Sequence, residues 1–172
     1  MVQVETPQHL VEAAADIVQE SVVGMDTETR PAFRVGESYP PCLAQVATAH
    51  AVYLFPLQRL DCSVVLAGML ADPRVVKIGV GLAEDLRLLR QVFAFEVASM
   101  LDAGAVAKRH GVAQTGLRNL AGIFLGFRIP KGKRTSNWAA RQLTAAQIAY
   151  AATDAWAPRV LYLRYRQLGL LK

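Results

Sequence analysis

The chain has 172 residues, of which 53% are hydrophobic and 19% are charged. This composition excludes an intrinsically disordered chain, because there is enough apolar surface to offset the entropy lost on folding. The net charge of +5 hides a division: residues 1–107 carry 7 basic and 13 acidic side chains, whereas residues 108–172 carry 12 basic side chains and a single acid, Asp154. The basic half predicts an anionic partner.

The cysteines and the apolar segments bear on the compartment. Cys42 and Cys62 are too few for a disulfide framework and lie outside any metal-binding spacing, which predicts free thiols in a reducing compartment. Residues 1–16 lack the basic and apolar regions of a signal peptide. Prolines interrupt the longest uncharged stretch, residues 38–58, which predicts a β-hairpin and no membrane span. We therefore expect one cytoplasmic domain over residues 1–172.

The first half of the chain alternates helical and strand-like segments. Thr6 and Pro7 predict the start of a helix that ends at about Gln19. Asp61 can cap a second helix, which ends at Leu70. Short apolar segments predict four strands, the middle two forming a hairpin, at residues 22–25, 43–49, 51–55 and 75–79.

The second half of the chain is mainly helical. Thr144 and Gln147 form a capping box, which predicts that a long helix begins at Ala145. A weaker strand is expected at residues 97–101. The other helices are expected at residues 83–93, 103–109 and 117–125. Because strands come first and helices last, with strand–helix–strand units between them, the order predicts an α/β domain with a central mixed five-stranded sheet flanked by helices.

The first notable pair of carboxylates follows the apolar strand at residues 22–25. Asp26 and Glu28 are two residues apart, so both side chains point to the same face of the strand. Unpaired carboxylates in a largely buried strand would cost several kcal/mol each. Either Arg30 and another basic group neutralise the pair, or a divalent cation does.

A third carboxylate, Asp85, follows the strand at residues 75–79. Gly79 and Gly81 suggest the turn of a dinucleotide-binding site, but Glu84 occupies the place of the third glycine, which excludes that fingerprint. Glu84 and Asp85 also suit the first turn of a helix, where acids complement the helix dipole.

The last carboxylate lies on the long C-terminal helix. Tyr150 and Asp154 are four residues apart and share one helix face. The neighbours of Asp154 are alanines, a threonine and Trp156, so this carboxylate requires a metal or a buried partner. Pro158 deprives the Asp154 carbonyl of its helical hydrogen bond, which predicts a kink or a new helix start just after Asp154.

In this order the motifs resemble the DEDD superfamily of 3′-5′ exonucleases, in the branch that contains ribonuclease D and the exonuclease domain of the Werner-syndrome helicase. The resemblance covers roughly residues 5–165 and implies a ribonuclease H-like fold. A second branch of the superfamily has a histidine five residues before the last aspartate. Ala149 occupies that position and Tyr150 the tyrosine position, so the chain resembles the tyrosine branch. The matching motifs are residues 24–31, 77–85, 136–138 and 143–154.

The resemblance implies two divalent cations, Mg²⁺ or Mn²⁺, held by carboxylates. Asp26 would contact both cations, Glu28 and Asp154 would complete one site, and Asp85 would act on the other. Tyr150 would orient the attacking water. The expected reaction is hydrolysis of phosphodiester bonds from the 3′ end of DNA or RNA, with release of 5′-nucleoside monophosphates.

The basic half of the chain would then contact a nucleic acid, as a single-stranded or 3′-recessed end. Four of the seven residues at 128–134 are basic, and Lys131, Lys133 and Arg134 are the predicted phosphate contacts. Trp138 has two interpretations, a base-stacking residue or a core residue. Phe33, on the loop after the first motif, is a candidate contact to the terminal nucleotide.

A second hypothesis is a catalytically weak nucleic-acid-binding module of the same fold. The two hypotheses differ in whether bound nucleic acid is degraded. The presence of all four carboxylates and of Tyr150 favours the active exonuclease.

Overall fold

The computed structural model of the protein describes residues 1–34, 36–130, 132 and 136–171. Within these residues, six strands form one mixed sheet in the order β1-β4-β3-β2-β5-β6. Neighbouring strands are antiparallel at β4-β3 and β3-β2 and parallel at the other three pairs. The strands are β1 (Val2–Gln3), β2 (Val22–Thr29), β3 (Pro41–Ala47), β4 (Val52–Pro56), β5 (Val76–Gly79) and β6 (Met100–Asp102).

Helices cover both faces of the sheet, which confirms the predicted α/β class. Five of them connect or follow the strands: α1 (Pro7–Ile17), α2 (Ser63–Ala71), α3 (Leu82–Leu89), α4 (Ala103–Arg109) and α5 (Leu117–Leu120). The long helix α6 (Ala145–Gln167) closes the fold, and the predicted capping box of Thr144 and Gln147 is present at its start. None of the helices in the described part of the chain is both long and apolar enough to cross a bilayer.

The predicted count of five strands is wrong by one. The additional strand, β1, has only two residues and pairs in parallel with β4, so its sequence is too short to show a pattern. β6 begins at Met100 rather than at Val97. Ser99 has a positive φ of 50°, which interrupts an extended strand, and the preceding Ala98 N–H donates to the carbonyl of Leu70.

Two helices also differ from the prediction. The helix expected over 117–125 is α-helical only to Leu120 and continues as a π-helix, Ala121–Leu125, before Gly126 ends it with a φ of 73°. The long helix α6 runs through Pro158, so of the two predicted outcomes after Asp154 the new helix start is absent and the kink stays a prediction. Because Pro158 is buried and the next-turn Leu161 is fully buried, tertiary packing holds the helix together despite the missing hydrogen bond.

The central strand β2 and helix α6 approach each other closely at Gly24. A Cβ atom at this position would overlap the carbonyl oxygen of Ala155, so only glycine fits without a shift of the backbone. Beside this contact, Arg159 of α6 pairs with Glu20 at 2.9 Å and donates from Nε to the carbonyl of Val22. These contacts hold the middle of α6 against the start of β2.

Candidate active site

The carboxylates of β2 face helix α6 at the open end of the sheet. β2 pairs with β5 only as far as Gly24, opposite Ile78, and then extends beyond it. Asp26 and Glu28 lie on this extension, on the same face as Gly24 and hence toward α6. Open α/β sheets place their ligand sites at this carboxyl end of the parallel strands.

Three of the predicted carboxylates come together in space. One oxygen each from Asp26, Glu28 and Asp154 lie within 4.8 Å of one another. Glu28 is buried, and the other two are partly exposed to the cleft. Carboxylate oxygens are the ligands that Mg²⁺ and Mn²⁺ prefer, so this donor set fits a divalent cation.

The electrostatics of Asp26 also fit a cation site. Although its side chain is partly exposed to the cleft, the surrounding protein removes enough hydration to raise the pKa of Asp26 well above 3.8. The charges of Asp85, Glu28 and Asp154 raise this pKa further. A hydrogen bond from the backbone N–H of Thr27 opposes the rise. The Arg30 guanidinium, which the sequence offered as an alternative partner of the pair, lies 3.6 Å from the ring centroid of Tyr39.

Asp85 lies in the first turn of α3 and lines the same cleft. The hydroxyl of Thr27 donates to Oδ1 of Asp85 at 2.7 Å, so β2 holds this carboxylate directly. The turn before α3 is held in the same way: Asp102 accepts from the N–H of Gly81 at 2.7 Å, and Gly81 has a φ of 76°. Asp85 thus has a fixed place beside the cluster.

The hydroxyl of Tyr150 lies within reach of a hydrogen bond to Asp154, one helical turn away. Burial, the charge of Asp154 and this hydrogen bond all raise the pKa of Tyr150 above its ordinary value of 10. The phenol therefore keeps its proton near neutral pH. Burial also raises the pKa of Asp154, while the hydrogen bond from Tyr150 and the charge of Arg118 oppose that rise.

Of the two interpretations of Trp138, the structure favours the core residue over the base-stacking residue. Only 2% of Trp138 is exposed, and the residue packs with apolar residues of β3, β4 and α6. Its ring centroid lies 5.8 Å from that of Tyr150. The buried indole therefore packs against the ring of Tyr150 and is shielded from a nucleotide in the cleft.

The other predicted nucleic-acid contacts have different outcomes. Phe33 is 87% exposed on the loop after β2, where a nucleotide can reach it, and its contact remains a prediction. Lys131, Lys133 and Arg134 lie outside the described residues. Gly132, between them, lies against Tyr150, and a Cβ atom there would overlap the tyrosine ring.

The five residues predicted to be catalytic line one cleft with a volume of about 860 Å³. Besides the five predicted residues, this cleft is lined by side chains that the sequence analysis did not select. Arg118 and Asn119 come from α5, and Arg128 follows the π-helix. Arg128 begins the basic run at 128–134 and was therefore detectable as part of it. Arg118 lies in a helix without any motif, so nothing in its sequence context marked it.

Comparison with known proteins gives a consistent family assignment. A family model described as 3′-5′ exonuclease matches residues 1–166. Ribonuclease D of Gluconacetobacter diazotrophicus is 32% identical over 165 residues, which cover 94% of this chain and 41% of that protein. Ribonuclease D of Haemophilus influenzae is 36% identical over 147 residues, which cover 84% of this chain and 36% of that protein. The chain thus spans about two fifths of the length of these relatives.

A solved structure supports the fold. The crystal structure of Escherichia coli RNase D, described as an exoribonuclease involved in structured RNA processing, superimposes with a TM-score of 0.84. The match covers 99% of this chain and 46% of that chain at 22% sequence identity. This likeness confirms the ribonuclease H-like fold. From the family model and the two ribonuclease D relatives, the chain belongs to the 3′-5′ exonuclease family.

Proposed function

We propose that the chain is an active, metal-dependent 3′-5′ exonuclease that releases 5′-nucleoside monophosphates from DNA or RNA. The observation that carries this proposal is the cluster of Asp26, Glu28 and Asp154, whose oxygens lie within 4.8 Å of one another. Asp85 and Tyr150 line the same cleft. Family membership supports the reaction class.

The four carboxylates would hold two divalent cations, Mg²⁺ or Mn²⁺. Asp26 would contact both, with Glu28 and Asp154 at one site and Asp85 at the other. When bound, such cations lower the pKa of a ligand water and stabilise the charge that develops on the phosphoryl oxygens. Thr27 orients Asp85 through the 2.7 Å hydrogen bond to its Oδ1.

Tyr150 would act on the attacking water as a protonated phenol. Since its pKa is raised above 10, it is a hydrogen-bond partner and a poor proton acceptor at neutral pH. The packing of its ring against Trp138 and the closeness of Asp154 would hold the hydroxyl at the edge of the carboxylate cluster. In this role, Tyr150 would place the chain in the tyrosine branch of the superfamily.

The substrate would enter as a single-stranded or 3′-recessed end. Phe33 is exposed enough to stack on a base, and such stacking tolerates any sequence. Lys131, Lys133 and Arg134 would add contacts to the phosphate backbone, which also carry no sequence information. Both kinds of contact suit an enzyme that removes every nucleotide in turn.

A degradation assay tests the proposed function. DNA and RNA oligonucleotides labelled at the 5′ end, single-stranded or 3′-recessed, are incubated with Mg²⁺, Mn²⁺ or a chelator. We expect a ladder that shortens from the 3′ end and that disappears with chelator, with Asp26→Ala and with Asp154→Ala. Glu12→Gln, on the exposed face of α1, is the matched control. Binding without degradation of every substrate would contradict the proposal and favour the binding module.

A further inference from the structure

Two arginines line the cleft together with the carboxylates. Arg118 comes from α5 and Arg128 from the segment after the π-helix, and both are exposed. Within residues 1–34, 36–130, 132 and 136–171, neither guanidinium makes a hydrogen bond or an ion pair. By contrast, Arg87 near the same cleft is paired with Glu84 at 2.6 Å. Among the described residues, Arg118 and Arg128 are thus cations without a hydrogen-bond or ion-pair partner beside the candidate active site.

Buried neighbours fix the backbone of both arginines. Leu120, two residues after Arg118, is fully buried, and Ile129, directly after Arg128, is 6% exposed. Ile129 packs with Ala121 of the π-helix and Ala157 of α6. The π-helix between the two arginines departs from regular α-helical geometry, a feature that occurs frequently at functional sites. The two side chains therefore extend from anchored positions into one cleft.

The charge balance of the cleft leaves the arginines available for another anion. The field of Arg118 reaches Asp154, whose pKa it lowers, but the two side chains do not form an ion pair. Divalent cations at the carboxylate cluster would neutralise the acidic side of the cleft without help from the arginines. A guanidinium presents a planar set of donors that matches a phosphate.

We propose that Arg118 and Arg128 bind the first phosphate on the 5′ side of the scissile phosphodiester. This inference rests on the proposed 3′-5′ exonuclease function. The 3′-terminal nucleotide is joined to the strand only through the scissile phosphate. Any second phosphate in the cleft must therefore belong to the strand that is retained, so the two arginines hold the retained strand while the terminal nucleotide leaves.

The test combines variants with a neutral linkage in the substrate. Two 5′-labelled oligonucleotides are compared. One has phosphates throughout. In the other, the linkage directly before the scissile 3′-terminal phosphodiester is an uncharged methylphosphonate. The rate of the first cleavage is measured for the wild type, Arg118→Ala, Arg128→Ala, the double variant and Arg109→Ala. Arg109, at the end of α4, is exposed and lies outside the residues that line the cleft, so its variant controls for net charge.

We expect the methylphosphonate to slow the wild type and the Arg109→Ala control about tenfold or more, since a charged hydrogen bond is lost. On the all-phosphate strand, the double variant should be about tenfold slower than the wild type. Replacing that strand with the methylphosphonate strand should slow the double variant by less than about twofold. If the double variant cleaves both substrates more slowly than the wild type by the same factor, the arginines act elsewhere and the inference is wrong. It is also wrong if the double variant matches the wild type.

A binding measurement separates this inference from the proposed function. Asp26→Asn, with and without the two arginine substitutions, is titrated with single-stranded DNA at several salt concentrations. The loss of one phosphate contact should reduce the slope of log K against log salt by about 0.7. An unchanged slope overturns the inference, whether or not the wild type cleaves. Absence of cleavage by the wild type, with a reduced slope, overturns only the exonuclease proposal. Melting curves establish that each variant is folded.

Discussion

Removal of one carboxylate charge should stabilise the metal-free protein. The oxygens of Asp26, Glu28 and Asp154 lie within 4.8 Å of one another. At an effective dielectric constant of about 20, each ionised pair repels by about 3.5 kcal/mol or more. Protonation limits this cost: a carboxyl group with an ordinary pKa of 3.8 takes up a proton at pH 7 for about 4 kcal/mol. We therefore expect Asp26→Asn to raise the free energy of unfolding by about 2 to 4 kcal/mol without metal.

The stabilisation by Asp26→Asn should depend on pH with a definite sign. The pKa of Asp26 is raised in the folded state, so its unfavourable effect is absent below pH 3.8 and grows as the pH rises toward the raised value. The difference between variant and wild type should accordingly be larger at pH 8 than at pH 5. At pH 7 it corresponds to a melting temperature higher by roughly 5 to 15 °C in a protein of this size.

The assay is thermal unfolding by circular dichroism in chelator between pH 5 and pH 8, with Glu12→Gln as the control. Added Mn²⁺ should stabilise the wild type by about 2.7 kcal/mol at 100 times its dissociation constant. It should have little effect on Asp26→Asn. An Asp26→Asn protein that melts below the wild type in chelator, or a difference that shrinks from pH 5 to pH 8, would refute the electrostatic reasoning.

Three further substitutions test the site and its support. Tyr150→Phe should lower kcat at least tenfold, because the hydroxyl that orients water is lost; an Mn²⁺ titration should show unchanged metal affinity, and weaker metal binding would contradict the assigned role. Gly24→Ala should destabilise the protein by about 1 to 3 kcal/mol in denaturant titrations, because the methyl group overlaps the backbone of α6. Gly68→Ala is its control, since a Cβ there meets open space in α2. Thr27→Val removes the hydroxyl that donates to Asp85 at nearly constant side-chain volume. The metal concentration for half-maximal activity should rise severalfold, while the melting temperature stays within a few degrees. An unchanged metal requirement would contradict the positioning role of Thr27.

The sequence predicts the parts of the fold that local chemistry determines. The capping box at Thr144 depends on two nearby side chains and is found as expected. The convergence of Asp26, Glu28 and Asp154 followed from the order of the motifs and from the family resemblance, and the structure brings them together. The two-residue strand β1 was missed, because its pairing depends on β4 and its own sequence carries no period.

Features that depend on tertiary contacts were predicted less well. Trp138 is compatible from its sequence with both a core and a base-stacking position, and only the packing of α6 against β3 and β4 decides between them. The change to a π-helix after Leu120 has no counterpart in the apolar periodicity of the segment. Arg118 and Arg128 are ten residues apart in sequence, and only the fold places both on the cleft.

The central claim is tested most directly by identifying the first product released from a single-stranded oligonucleotide with a distinct 3′-terminal base. With Mg²⁺ or Mn²⁺, the wild type should release the 5′-monophosphate of that base first. Asp154→Asn and the chelated wild type should release nothing. Release of a 3′-phosphorylated nucleotide, release from the 5′ end, or internal fragments would contradict the assignment of the cleft as a 3′-5′ exonuclease site.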